Sequence, residues 1–408
     1  MQMHHRFCGV SLARRRPTAK RLLADIEVMA PQIAARAGEI EAGRRMPPGL
    51  VETLRSIGVF RIVAPESHDG LELNLPEAIA IIEALGRIDG SVGWTVMVAS
   101  VADLFMPMLP RQTYDRIYRN GPDTILAGST QPAGTAERTA DGWRVNGRWP
   151  FASGCPHADW LVGLCVITEE GKPIPAPTGD GPVIRAVALP AHAWQIEDTW
   201  RAAGLRGTGS HHIVLKDATA PEANGFDIAG SPCLPGPLYQ SPRQIIPIFH
   251  AATAAGIARG ALDELISVAN AGRQQFRAPV PLRHSEIFQY ELGRASADLR
   301  AARAFLQAQA AELWRHALAG TLNDEAVFLQ ATEAAAWIAT TCVRIADACF
   351  ALGGSSAVYD TSPLQRRLRD LHAVAQHAIV QQRHYASVGK LILERSASSP
   401  GAGPGGRT

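Results

Sequence analysis

The sequence predicts an α+β protein built from an N-terminal helical region over 21–123, a β unit over 124–230 and a bundle of roughly four helices over 240–395. Three observations support this. Apolar residues recur at helical spacing early in the chain. Short apolar runs broken by Gly, Pro, Asp and Asn fill the middle. From about Gln244 to Glu394, Ala, Leu, Arg, Gln and Glu prevail with few interruptions.

In the first block Leu22, Ile26, Met29 and Ile33 form a helical stripe, Pro47 and Pro48 open a second helix, and Pro76 opens a third that runs to Asp89. In the middle block Ile125 to Ala127, Trp160 to Val162, Val183 to Leu189 and His212 to Leu215 read as strands. The segment Glu169 to Pro182 is an exposed excursion between them. Asp141-Gly142 marks a tight hairpin whose central positions need positive φ, with Arg144, Asn146 and Arg148 on one face and Trp143, Val145 and Trp149 on the other. Residues 1–20 carry Arg14 to Arg16 after only a short apolar run, the wrong order for a secretory signal, and read as a disordered arm. The Ser, Gly and Pro tail over 396–408 reads as flexible.

With 408 residues, 46% hydrophobic, the chain has enough material for a large core. Net charge is +2, from 40 basic and 38 acidic residues that are interspersed, which gives no field for nucleic acid or an anionic membrane. No run of about 18 uncharged apolar residues is present, so no spanning helix is expected. The cysteines Cys8, Cys155, Cys165, Cys233, Cys342 and Cys349 form no C-x-x-C pair, which argues against a disulfide framework or structural zinc and for a reducing cytoplasm. No metal site is expected. His211 and His212 are adjacent and point to opposite faces of a strand, while His4 and His5 lie in the arm. A serine-hydrolase elbow is absent, since Gly207-Thr-Gly-Ser-His211 does not match it.

The densest chemical signal is Trp149-Pro-Phe-Ala-Ser-Gly-Cys-Pro-His-Ala-Asp-Trp160, where Phe151 and Ser153 fall at the exit of a strand. Its rings either fill a small β core or wall a flat aromatic cofactor. Gly204, Gly207 and Gly209 permit a backbone turn close to a ligand, with Arg206, Thr208 and Ser210 as donors, or else form a plain interstrand loop. Arg273 and Phe276, three apart, would share a helix face, a guanidinium for phosphate beside a ring. Arg277 and Arg283 are near enough to share that role. Gly353-Gly354 ends a long helix that starts near Asn323, followed by donors at Ser355 and Ser356.

The order of helices, β unit and bundle resembles the acyl-CoA dehydrogenase fold. The motifs Asp89-Gly-Ser-Val-Gly-Trp94, Trp149 to Trp160, Gly204 to Ser210, Arg273-Gln-Gln-Phe276, Gly353-Gly354 and Arg369-Asp370-Leu-His372 with His377 look most like its flavin-dependent monooxygenases, the oxygenase components of two-component systems. The resemblance covers nearly the whole chain. It implies reduced FMN, with FAD as the other candidate, supplied by a separate flavin reductase, and a reaction with O2 through a flavin C4a-hydroperoxide. One oxygen atom would pass to a small aromatic or heteroatom-containing substrate. A homotetramer is also implied, with the Gly353-Gly354 turn against flavin in the same or a neighbouring subunit. The resemblance puts Ser153 at the flavin N5 edge, Trp149 and Phe151 as the walls that exclude water, and His377 as a second polar group. Thr208, Arg273, Phe276, Gly353 and Gly354 would hold the cofactor.

His372 lies five residues before His377, on another helix face, and is read as structural. No carboxylate occurs between Asp370 and Glu394, where dehydrogenases of this fold commonly carry their base. α,β-Dehydrogenation is therefore disfavoured, with Glu264 the substitute base if it occurs. Phenol hydroxylases of the group tend to carry a His at a place that falls near Ala102, and none is there. Asp103 is then a substrate contact for a cationic group or a plain helix charge. Ser129 and Thr130, before Pro132, either face the substrate or serve a turn. A non-catalytic flavin-binding protein is the remaining alternative.

Overall fold

The computed structural model describes residues 18–177 and 179–398. The chain opens with helices α1 (Ala19–Ala35), α2 (Ala37–Gly43), α3 (Pro48–Ile57), α4 (Leu75–Ile88), α5 (Gly90–Phe105) and α6 (Arg111–Ile117). The hydroxyl of Thr18 caps α1 by accepting from the Arg21 amide, so helix begins inside the segment expected to be a disordered arm. Residues 1–17 of that arm lie outside the described residues. Leu22, Ile26, Met29 and Ile33 are buried as their spacing predicts. Asp89 both ends α4 and starts α5, where its carboxylate accepts from the amides of Ser91 and Val92.

The chain then forms one sheet from β1 (Leu126–Thr139), β2 (Gly142–Ala152), β3 (Trp160–Glu169), β4 (Lys172–Pro173), β5 (Ile184–Pro190), β6 (Gln195–Glu197), β7 (His211–Ala220) and β8 (Gly225–Phe226). The strand order is β6-β7-β2-β1-β3-β5-β8, with β4 paired to β3. β1 and β3 run parallel, and the other pairs are antiparallel. The expected hairpin joins β1 to β2. Of its two central positions Gly142 alone takes positive φ, because the turn residues are Ala140 and Asp141 and Gly142 already pairs with Thr139. Trp143, Val145 and Trp149 are buried on one face of β2, and Arg144, Asn146 and Arg148 are exposed on the other.

Trp149 corrects an expectation. The resemblance implies that it walls the cofactor, yet it is fully buried in the sheet core. A Cβ added to Gly134, Gly147 or Gly163 would stand 2.0, 2.6 or 2.7 Å from its indole, so three glycines make the slot this ring fills. Its Nε1 donates to the Leu164 carbonyl at 2.6 Å, and Trp194 packs edge-on at 5.2 Å.

The last region holds α7 (Ile246–Asn270), α8 (Glu286–Leu318), α9 (Glu325–Gly353), α10 (Pro363–Val374) and α11 (His384–Ser398). Among the described residues it holds five helices where roughly four were expected, and α11 continues through 396–398 of the supposed tail, while 399–408 lie outside the described residues. The helical stretches Gly90–Met108, Pro242–Asn270 and Glu325–Val358, which contain α5, α7 and α9, are long and apolar enough, by length and composition alone, to cross a membrane, contrary to the reading of the sequence. Packing accounts for much of that character: 89% of the apolar window of α7 is buried inside the chain.

Candidate active site

Strand β2 makes the first part of the site by breaking its own ladder. Its pairing with β7 runs to Trp149↔Ile213 and resumes at Ala152↔His211, a bulge across Pro150 and Phe151. Proline has no amide to give to a ladder, so a bulge suits it. Phe151 adopts φ +61, uncommon for a bulky residue, and its ring is turned outward and 59% exposed. Trp200 is its ring neighbour, edge-on at 6.4 Å.

Two residues on, the hydroxyl of Ser153 is buried in a chain of polar groups. Its Oγ lies 2.6 Å from Ser210 Oγ, which lies 2.6 Å from Thr208 Oγ1, and Thr208 donates to the Leu205 carbonyl at 2.8 Å. Each hydroxyl has a single proton. Thr208 gives its proton to Leu205, so Ser210 gives its own to Thr208, and Ser153 gives its own to Ser210. Ser153 also accepts from Trp94 Nε1 at 3.1 Å. The chain thus runs one way and leaves Ser153 with a lone pair and no free proton.

Trp94, on α5, joins this chain to two histidines. The ring of His377 is 5.8 Å from Trp94 and that of His250 is 5.1 Å from it, both edge-on, while the two imidazoles stack at 4.2 Å and 29°. His377 follows α10, and its Nδ1 accepts from the Ile379 amide at 3.4 Å. Burial lowers its pKa to about 4, so at neutral pH the ring is neutral with its proton on Nε2. His372 is elsewhere, exposed and paired with Asp347 at 2.9 Å.

The Gly-rich loop packs against the protein. A Cβ on Gly204 would stand 2.0 Å from the Arg369 carbonyl, and one on Gly207 2.1 Å from Ile40 Cγ2. These two glycines let the loop pack against α10, α2 and α5, a need that explains them without a ligand. Asp370 holds the loop by accepting from the Leu205 amide at 2.6 Å, and Ser91 accepts from the Gly207 amide at 3.1 Å. Thr208 is buried one hydroxyl behind Ser153 and Ser210, not at the surface.

Arg273 and Phe276 do not share a helix face, because α7 stops at Asn270 and Gly272 takes positive φ. They lie in the following loop, with Phe276 90% exposed. The loop does meet the other predicted motif. Gln275 donates to the Leu352 carbonyl at 3.1 Å, and a Cβ on Gly354, φ +62, would touch the Gln275 amide at 2.9 Å. Arg273 Nε is buried without a partner among the described residues, an unused donor that suits an anion. This cluster lies at the far end of α7. The twenty residues from His250 to Asn270 span roughly 30 Å at the rise of an α-helix. One flavin ring cannot touch Ser153 and the Arg273 loop of the same chain.

Asp103 is also separate from the site. It follows Trp94 by nine residues, which puts it on the opposite side of α5. There its Oδ1 accepts from the Tyr118 hydroxyl, its Oδ2 has no partner among the described residues, and burial alone pushes its pKa well up. Burial thus disfavours the charged form of Asp103, and its one hydrogen bond ties it to Tyr118, away from Ser153 and His377. Ser129 ends the regular β1–β3 register and accepts weakly from the Gln131 amide at 3.4 Å, the turn chemistry weighed from the sequence. It shares its sheet face with Ala127, whose Cβ lies 4.0 Å from where a Cβ on Gly154 would be. Glu264 lies roughly 21 Å along α7 from His250, where its charge acts on Arg367 instead. Trp94 and His250 are the site members that the sequence reading left out of its candidates.

Models of two families match the chain: "Acyl-CoA dehydrogenase, N-terminal domain" over residues 25–111 and "Acyl-CoA dehydrogenase, C-terminal domain" over 248–382. The indole-3-acetate monooxygenase of Pseudomonas putida is 32% identical over 88% of this chain and 90% of its own. The oxygenase component of an FADH2-dependent resorcinol hydroxylase from a Rhizobium species is 27% identical over 91% and 93%. The crystal structure of 3-HSA hydroxylase from Rhodococcus sp. RHA1 superposes with a TM-score of 0.82 at 25% identity, over 91% of this chain and 96% of that one. The chain belongs to the flavin-dependent monooxygenases of the acyl-CoA dehydrogenase fold, the oxygenase components of two-component systems.

Proposed function

We propose that Ser153, Phe151 and His377 form the flavin face of this monooxygenase and that reduced FMN, delivered by a separate reductase, is its cofactor. The observation that carries the reading is the one-way hydroxyl chain. Reduced flavin has a hydrogen on N5, and Ser153 offers a lone pair with no competing proton. Bound reduced flavin supplies two electrons to O2, so that one oxygen atom reaches the substrate and the other leaves as water. The protein's own residues hold and dry the ring. Phe151 would face the ring, Ser153 would accept from its N5–H, and His377 would offer its Nε2–H as a donor.

The Arg273, Phe276 and Gly353-Gly354 cluster, too distant from Ser153 within one chain, acts on the phosphate or ribityl end of a flavin held by another copy. A homotetramer is the assembly we propose. FMN is the finer choice within reduced flavin, and the resorcinol hydroxylase relative is named for FADH2, so the two must be compared directly. The substrate we propose is a small electron-rich aromatic that needs no deprotonation, of the kind named for the indole-3-acetate relative. In support, α5 offers half-buried Val98, Val101, Ala102 and Phe105 along the stripe that includes Trp94, with no base among them. The reaction is placed in the cytoplasm, in keeping with the free cysteines of the described chain.

The test is an anaerobic titration with FMNH2 and FADH2, followed by rapid mixing with O2. Tight binding of one reduced flavin, then a transient near-ultraviolet absorbance that persists for seconds, is the expected result. Immediate appearance of oxidised flavin with stoichiometric hydrogen peroxide, both with and without indole-type substrates, would overturn the reading.

A further inference from the structure

His250 sits at the start of the second turn of α7, 127 positions before His377, in a run of apolar residues. Its Nδ1 is 2.9 Å from the Ile246 carbonyl. A carbonyl only accepts, so Nδ1 carries the proton and Nε2 is a bare lone pair. His377 is arranged the other way, because its Nδ1 accepts from Ile379 and its proton lies on Nε2. The two stacked rings therefore have opposite tautomers.

We propose that His250 is a positioning residue: its ring is the platform that holds the His377 imidazole in one plane and one tautomer, with Nε2–H aimed at the flavin side. The proposal rests on the assignment of His377 to that site. Three features of the geometry support it. The 4.2 Å stack covers one face of His377, and Trp94 meets both rings edge-on, so the ring of His377 is held on two sides. The bond to Ile246 pins the plane of His250, which packing alone would hold less firmly. A buried imidazole is also a costly way to fill space that Phe or Leu would fill without polar atoms.

Charge adds to the argument. The groups that face the pair are Trp94 from α5, the Ile246 carbonyl from α7 and the Ile379 amide from the turn after α10. None of these is ionised, and among the described residues no other charged group shifts either ring. Burial first, and then the neighbouring His377, lower the pKa of His250 well below the ordinary value. Both rings are therefore held towards the neutral form, and a charge on one would oppose a charge on the other.

Two substitutions keep the core filled and separate the roles. His250→Phe keeps a flat ring, and His250→Leu keeps volume without one. The first readout needs no flavin: the imidazole nitrogen signals of His377 in the 15N-labelled protein between pH 4 and 8. Wild type should show a single Nε2–H tautomer that titrates near pH 4. The Leu variant should show averaged tautomers, and with reduced flavin its oxygen-dependent transient should decay about tenfold faster. The Phe variant should fall between Leu and wild type. Nitrogen signals and transient decay in the Leu variant equal to wild type would overturn the proposal. Absence of any transient in wild type would instead count against the flavin reading and leave the tautomer result standing.

Discussion

The indole of Trp94 donates to the hydroxyl of Ser153 at 3.1 Å across 59 residues of chain, and this bond joins the α5 helix to the bulged strand that carries Phe151. Replacing Ser153 with Ala leaves the buried indole N–H without an acceptor, which costs about 1–3 kcal/mol of stability. It also removes the group proposed to hold the N5 hydrogen, and the oxygen-dependent transient should shorten by about tenfold or more. Chemical denaturation and stopped-flow absorbance measure the two effects separately. A stability loss with an unchanged transient would leave Ser153 a purely structural link.

Thr208 sets the direction of the hydroxyl chain, because its proton goes to the Leu205 carbonyl. In Thr208→Val the chain loses that terminus, Ser210 is free to turn its proton toward Ser153, and Ser153 can then donate outward. Oxidised flavin has a lone pair on N5 and reduced flavin has a hydrogen there. The variant should therefore narrow the preference for reduced over oxidised flavin, by about tenfold for one hydrogen bond of about 1.4 kcal/mol. Paired titrations in both redox states check this, and an unchanged ratio would mean the chain does not select the redox form.

Phe151 holds a left-handed backbone with a ring that packs against little of its own chain. Phe151→Gly should remove about 1 kcal/mol or more of backbone strain while losing few folded-state contacts, although glycine also loosens the unfolded chain. Stability should hold or rise, and reduced-flavin affinity should fall several-fold as the ring face is lost. A variant that is destabilised and binds flavin normally would place the ring's role in folding.

How much of this was readable beforehand differs residue by residue. Ser153 and His377 were singled out from motifs, and the structure brings them to one place through Trp94. The confusion of Trp149 with the site has a physical origin. Strand parity sends 149 and 151 to the same face, but the bulge at Pro150 and Phe151 breaks that parity, leaving Trp149 in the core and turning Phe151 out. Pro150 was the available hint. His250 left no signal, since a lone histidine in an apolar helix looks like core, and only tertiary packing sets it on His377. The helix expected to carry Arg273 and Phe276 ends at Asn270, and Gly272 just beyond it is a stop signal visible in the sequence and passed over.

Arg273 gives a prediction that separates cofactor binding from folding. Its Nε is buried and unpaired among the described residues, so Arg273→Ala should break no internal hydrogen bond of that atom and change stability little. Flavin affinity should fall by one to two powers of ten, roughly 1.4–3 kcal/mol for a charge-assisted bond, and its salt dependence should weaken. Riboflavin, which lacks the phosphate, should bind the variant and wild type alike. If the variant loses riboflavin affinity equally, the guanidinium is not a phosphate contact.

Asp370 ties the Gly-rich loop to α10, and its ionisation should be visible in the pH dependence of folding. Burial, and then the charge of Asp89, raise its pKa to about 7. The folded protein therefore keeps a proton there that the unfolded chain gives up near pH 3.8. The sign follows. The contribution of this group to stability is full below pH 3.8, declines as pH rises toward 7, and is gone above that. Asp370→Asn keeps an oxygen to accept from the Leu205 amide but has no proton to lose. Relative to wild type, the Asn variant should gain stability steadily from pH 4 to 7 and then level off, by a few kcal/mol in all. Urea denaturation of both proteins across that range measures it. A difference that does not change with pH would mean that Asp370 is already ionised at pH 4, balanced by Arg367 on the same helix.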